Sequence, residues 1–202
     1  AALHIRIFDE TGRLAAIFDL GTRVARRASL VHLQAPADAS KAEILDLLRS
    51  IDGNNPVTIF ISHWHTDHYN ALGILWNESD NFIKLCQNAE WYVPEVGKID
   101  FRGNPHPHHQ GLFVRLQFSN GRNILLPGDT TYEGLPLNVR NGRKYSILQV
   151  CHHGGNYSIY PATQGRGSQQ FIPMPTKIVE NYAVYSADGV SYGHPNLTYV
   201  TY

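Results

Sequence analysis

The residues best equipped for chemistry in this chain are histidines, and they come in clusters. His63-Trp64-His65-Thr66-Asp67-His68 places four metal-ligand side chains within six consecutive positions, directly after the apolar run from Val57 to Ser62. Imidazole is the commonest metal ligand near neutral pH. On an extended segment residues i, i+2 and i+4 face the same way. His63, His65 and Asp67 are therefore expected to converge, with His68 opening the next element and turning its ring toward the same cavity. Two imidazoles suit one zinc ion, and a carboxylate with an imidazole suits a neighbouring ion.

Two further pieces have the same character. In Leu125-Leu126-Pro127-Gly128-Asp129-Thr130 an aspartate follows a strand and a glycine. Such a residue is often only a turn former. Beside the histidine cluster, Asp129 becomes the natural carboxylate to bridge two metals ~3.5–4 Å apart. In Val150-Cys151-His152-His153-Gly154-Gly155 a pair of histidines again ends a strand. Adjacent residues point to opposite sides, so one of the pair is expected to ligate and the other to stand beside it or face substrate. Cys151 reads as a core residue.

The elements that must hold these pieces follow from local pattern. His4 to Phe8 alternates, Asp9-Glu10-Thr11-Gly12 turns, and Leu14 to Leu20 is apolar, which predicts a hairpin. Ser40-Lys41-Ala42-Glu43 is a capping box before a helix carrying Ile44, Leu45, Leu47, Leu48 and Ile51. Val57 to Ser62 reads as a buried strand, followed by a short helix through Leu72 and Leu75, and Glu90 to Pro94 as another strand. Leu112 to Phe118 and Asn123 to Pro127 flank Ser119-Asn120-Gly121-Arg122, a hairpin with an Asn-Gly turn. Tyr145 to Cys151 and Val179 to Ser186 are the remaining strands. Hairpins mixed with strand–helix units predict an α/β layered fold.

Composition narrows the possibilities. The chain has 202 residues, with Lys+Arg 17 against Asp+Glu 17 and eleven histidines. This length suits one domain, here taken as residues 1–202. A balanced charge argues against a strongly basic nucleic-acid binder or a polybasic membrane anchor. It leaves room for an enzyme with local patches, such as Arg23, Arg26 and Arg27, or Arg140, Arg143 and Lys144. Two cysteines, Cys86 and Cys151, make no disulfide framework, and free thiols point to a reducing, cytoplasmic setting. No apolar run reaches the ~18–20 residues of a membrane span.

The order of these pieces resembles the metallo-β-lactamase fold: HxHxDH at His63–His68, then Gly128-Asp129, then a later histidine. More narrowly, Asp19-Leu20-Gly21, Ser62 to His68, Leu126-Pro127-Gly128-Asp129, Gln149 to Gly154 and Tyr192-Gly193-His194-Pro195 resemble the hydrolase domain of ComEC-type competence proteins. Choline-binding phosphodiesterases of the same fold are similar too. The resemblance implies a four-layer αββα sandwich with two divalent ions, Zn or Mn, at one edge. It implies that His63 and His65 hold the first ion, that Asp67 and His68 hold the second, that Asp129 bridges and that His153 is the late ligand. His152 would sit beside it, and His194 near the site as ligand, proton donor or substrate contact. Many members carry another histidine about twenty residues before the bridging aspartate. His109 stands 20 residues before Asp129 and is the candidate here, with His108 close behind. Gly155 replaces the serine typical of the subgroup.

The activity so implied is hydrolysis by a metal-bound hydroxide, with a phosphodiester or nucleic acid as substrate. Asp67 would orient the nucleophile or accept its proton, and His152 or His194 would protonate the leaving group. A carbonyl hydrolase of the same fold, acting on a lactone, thioester or β-lactam, uses the same metals and is the alternative. A non-enzymatic metal-binding module is the third reading, disfavoured because every ligand position is filled.

Overall fold

The alternating stretch Ile5–Phe8 and the apolar run Leu14–Phe18 form strands β1 and β2, which pair antiparallel. Asp9 closes the turn between them, its Oδ1 accepting from the backbone N–H of Thr11 at 2.8 Å and of Arg13 at 2.9 Å. Gly12 has φ +80°, a left-handed conformation that side-chain-bearing residues rarely adopt. The computed structural model describes residues 4–21, 46–94, 111–130, 135–140, 144–151 and 179–184. The chain divides into two compact units, Ala1–Pro94 and Glu95–Tyr202.

In the first unit, β3 (Thr58–Phe60) runs parallel to β2, and β4 (Glu90–Tyr92) parallel to β3. The sheet order is β1-β2-β3-β4. Parallel neighbours require a crossover. Between β3 and β4 it is built from α1 (Thr66–Tyr69), α2 (Ala71–Glu78) and α3 (Asp80–Asn88). The hairpin, the buried strand, the short helix after the histidines and the strand at Glu90 thus stand where the sequence pattern puts them. Helix α3 was not anticipated. Its signals are a cap and a stripe: the Ser79 hydroxyl accepts from the Phe82 N–H at 3.1 Å, and Phe82, Leu85 and Cys86 are its buried residues. Residues 46–50 are helical, while the capping box at Ser40 lies outside the described residues. Ile17, Leu20, Ile59, Ile61, Leu75 and Phe82 are buried together in one core.

In the second unit, β5 (Val114–Gln117) and β6 (Asn123–Leu126) form the anticipated hairpin, with Gly121 at φ +82° in its turn. β7 (Tyr145–Gln149) is parallel to β6, and β8 (Val179–Val184) parallel to β7, giving the order β5-β6-β7-β8. A short helix α4 (Leu137–Arg140) precedes β7. Leu125, Leu135, Val139, Tyr145, Leu148 and Cys151 form this unit's core. The Tyr145 hydroxyl donates to the Val139 carbonyl at 2.8 Å, so the buried ring keeps its polar end satisfied. The protein is therefore α/β with two four-stranded mixed sheets. Among the described residues, no helix is long and apolar enough to cross a membrane.

Candidate metal centre

The register of β2 on β3 pairs Phe18 with Phe60, so both strands end at the same level. The carboxyl ends of adjacent parallel strands are where α/β folds place binding groups. Asp19 follows β2 and has φ +59°, a left-handed conformation that aspartate tolerates better than most residues. Its N–H donates to the Phe60 carbonyl at 2.8 Å. Its carboxylate reaches across to the neighbouring strand end. Oδ1 accepts from the Ser62 N–H at 2.6 Å, and Oδ2 accepts from the Ser62 hydroxyl at 2.8 Å. Oδ2 also lies 2.8 Å from Nδ1 of His68. Asp19, Ser62 and His68 are all fully buried.

The next two residues clamp the histidine-bearing turn through backbone. The Leu20 N–H donates to the His68 carbonyl at 2.8 Å, and the Ala71 N–H donates to the Leu20 carbonyl at 2.9 Å. At Gly21 a Cβ would stand 1.5 Å from the carbonyl oxygen of Asp67, so only glycine permits this approach.

Within the turn, the rings of His63 and His65 have centroids 4.5 Å apart, and those of His63 and His68 4.0 Å apart. A ring nitrogen of His63 and one of His68 lie within 4.8 Å of each other, on residues that are both buried. Asp67 Oδ2 is 3.9 Å from Nε2 of His68. The structure differs from the extended reading in one respect. Thr66–Tyr69 is helical, and the His68 N–H donates to the His65 carbonyl at 2.9 Å. The chain bends at Trp64 and turns helical at Thr66, so alternation along an extended chain does not describe this segment. Asp67 and His68 are presented by a helical turn, held by the backbone bonds to Leu20.

In the second unit, Pro127-Gly128-Asp129-Thr130 is a turn, with Gly128 at φ +59° and the Thr130 N–H donating to the Pro127 carbonyl at 3.2 Å. Asp129 is nevertheless buried, only 4% exposed, which a turn residue alone does not require. His63 and His68 in the first unit and Asp129 in the second are each buried, and each offers an atom of the kind that ligates metal ions. Two imidazoles and a carboxylate are a donor set suited to zinc or manganese. The hydroxyl of Thr130, next to Asp129, and the amide of Gln149, at the end of β7, are buried without a hydrogen-bond partner among the described residues.

Other residues singled out from sequence take quieter roles. Trp64 is half-buried, donates its indole N–H to the Pro94 carbonyl at 3.1 Å and meets the Tyr69 ring edge-on. Cys151 belongs to the core, as anticipated. Burial pushes the Cys86 thiol up to about 12. His108, His109, His152, His153 and His194 lie outside the described residues, as do Arg23, Arg26, Arg27 and Arg143. Sequence reasoning assigned no role to Asp19, Ser62 or Gly21. The available signal was the Asp-Leu-Gly triplet directly after an apolar strand.

No family model, curated protein or solved structure matches the chain.

Proposed function

We propose that the protein is a metal-dependent hydrolase of the metallo-β-lactamase type, a single αββα domain over residues 1–202, acting on a phosphodiester or nucleic acid. The observation that carries this reading is the buried convergence of His63 and His68 behind the Asp19–Ser62 network. It occurs within an HxHxDH spacing whose local order resembles that fold. His63 and His65 would hold one divalent ion, Asp67 and His68 a second, and Asp129 would serve both, with His153 and His109 or His108 completing the set. Zinc and manganese fit this mixture of imidazole and carboxylate. Such ions supply Lewis acidity, which makes water a nucleophile near neutral pH and stabilises charge developing on the scissile group.

The chain's own residues do the rest. Asp67 accepts a proton at its carboxylate or orients the attacking water, and its partial exposure, 26% of the side chain, is compatible with that role. His152 or His194 donates a proton to the leaving group from a ring nitrogen. Asp19, through Ser62 and His68, keeps the imidazoles in place.

The test is hydrolysis of bis-p-nitrophenyl phosphate and of labelled single- and double-stranded DNA. Metal-stripped protein would be compared with protein given back Mn or Zn, with Asp129→Ala as control. Cleavage restored by metal and at least ~100-fold weaker in the variant is the expected result for a metal-dependent step. Metal binding without phosphodiester cleavage, together with turnover of lactones or nitrocefin, would move the assignment to a carbonyl hydrolase. Failure to bind metal would remove the site reading altogether.

A further inference from the structure

We propose that the Ser62 hydroxyl fixes the ring tautomer of His63, allowing the single carboxylate of Asp19 to orient two histidines. The inference rests on the metal reading above and concerns how that site is prepared.

The argument is a count of protons. Ser62 Oγ carries one, and three groups stand within hydrogen-bond distance: Asp19 Oδ2 at 2.8 Å, His63 Nδ1 at 3.0 Å and His68 Nδ1 at 3.2 Å. A carboxylate can only accept. The hydroxyl proton therefore goes to Asp19, its nearest partner. Having donated, Oγ presents only lone pairs, so the short contact with His63 requires the proton to be on Nδ1 of that ring. His68 Nδ1 faces two acceptors, Asp19 Oδ2 at 2.8 Å and Ser62 Oγ at 3.2 Å, and so carries a proton as well. In a neutral imidazole one nitrogen donates and the other accepts. Both rings are thereby set with Nε2 as the basic nitrogen, the atom through which each would take a metal.

Ligating histidines commonly give their second N–H to a carboxylate or a carbonyl. His68 does so directly. His63 has a hydroxyl instead, and a hydroxyl can serve as a dedicated acceptor only because Asp19 has taken its proton. Ser62 is thus a positioning residue for His63, and Asp19 acts on that ring only through it. The burial of all four side chains, none more than 2% exposed, keeps competing water from the network.

The test uses the full chain with ¹⁵N-labelled histidine, freed of metal at a pH about two units above the ordinary imidazole value of ~6.5. Long-range ¹H–¹⁵N spectra report the tautomer of each ring, with H63Q and H68Q assigning the signals. Wild type is expected to show both protons on Nδ1. In Ser62→Ala, His63 loses that preference while His68, still bonded to Asp19, keeps it. The Kd for Zn²⁺, measured by competition with a chromogenic chelator, rises ~10–100-fold. Ser62→Thr, which retains the hydroxyl, restores both readouts.

A proton on Nε2 of His63 in wild type overturns the proposal, as does a His63 tautomer or a Kd unchanged in Ser62→Ala. Wild type that binds no Zn²⁺ overturns the metal reading instead, and the spectra still decide the tautomer.

Discussion

The strand ends of the two units are built differently. At the end of β2 and β3 in the first unit, Asp19 satisfies a backbone N–H and a hydroxyl and faces an imidazole, while Leu20 and Gly21 hold the adjoining turn through backbone. At the end of β6 and β7 in the second unit, the Thr130 hydroxyl and the Gln149 amide are buried with no hydrogen-bond partner among the described residues. A satisfied buried network rigidifies, whereas an unsatisfied buried group destabilises. The comparison teaches that the first unit presents its ligand-type side chains on a pre-arranged scaffold. Among the described residues of the second unit, Thr130 and Gln149 form no comparable side-chain network.

The largest expected effect is at Gly21. Gly21→Ala forces a methyl group into the Asp67 carbonyl, a clash that the doubly bonded turn cannot relieve by a small shift. Urea denaturation should show a loss of roughly 3 kcal/mol or more, at the upper end of overpacking effects. A fully stable variant would mean that the turn is not clamped as described. Asp19→Ala comes next. It strands the Ser62 N–H in the interior, takes the carboxylate acceptor from the Ser62 hydroxyl and the Nδ1 of His68, and places alanine at φ +59°, for about 3 kcal/mol in the same assay. Asp19→Asn, which tolerates the backbone conformation, should lose less, and equal losses would assign the effect to the missing carboxylate rather than to backbone strain.

Gln149→Leu sharpens the other side of the comparison. Replacing a buried amide that has no partner among the described residues with an apolar group of similar reach should be neutral or raise stability by up to ~1 kcal/mol. A clear loss of stability would show the amide to be bonded in solution. The smallest effect concerns Cys86, in the first unit's core. Its thiol is pushed up to about 12, so iodoacetamide should label it far more slowly at pH 8 in the folded than in the urea-unfolded chain. Because the folded value lies above the unfolded one, its contribution to stability is complete below the unfolded value of ~8.5. That contribution is lost as pH rises toward about 12. Rapid labelling of folded protein would place Cys86 outside the core.

Much of the fold could be read in advance because it is local. The alternation of Ile5–Phe8 and the apolar run Leu14–Phe18 around a Gly-containing turn, and the Asn-Gly turn before Asn123, involve residues adjacent in sequence. Helix α3 was legible in principle, because Ser79 caps it and Phe82, Leu85 and Cys86 stand at helical spacing, but its short length and five polar residues out of nine make the signal easy to pass over. The histidine cluster was visible as spacing. The helical turn that presents Asp67 and His68 was not, because backbone bonds from Leu20 hold it, and Leu20 lies far back in the chain.

What the sequence determined by itself is therefore the inventory: four ligand-type side chains after a buried strand, an aspartate after Gly128, and the strands that carry them. Only the tertiary structure decided how the histidines are held. Ser62 and His68 meet Asp19 from 43 and 49 residues away, through the parallel register of β2 on β3. Periodicity reports which face of an element is buried. A hydrogen bond depends on separations of about 3 Å between atoms, and for residues so distant in sequence those separations exist only once the sheet has formed.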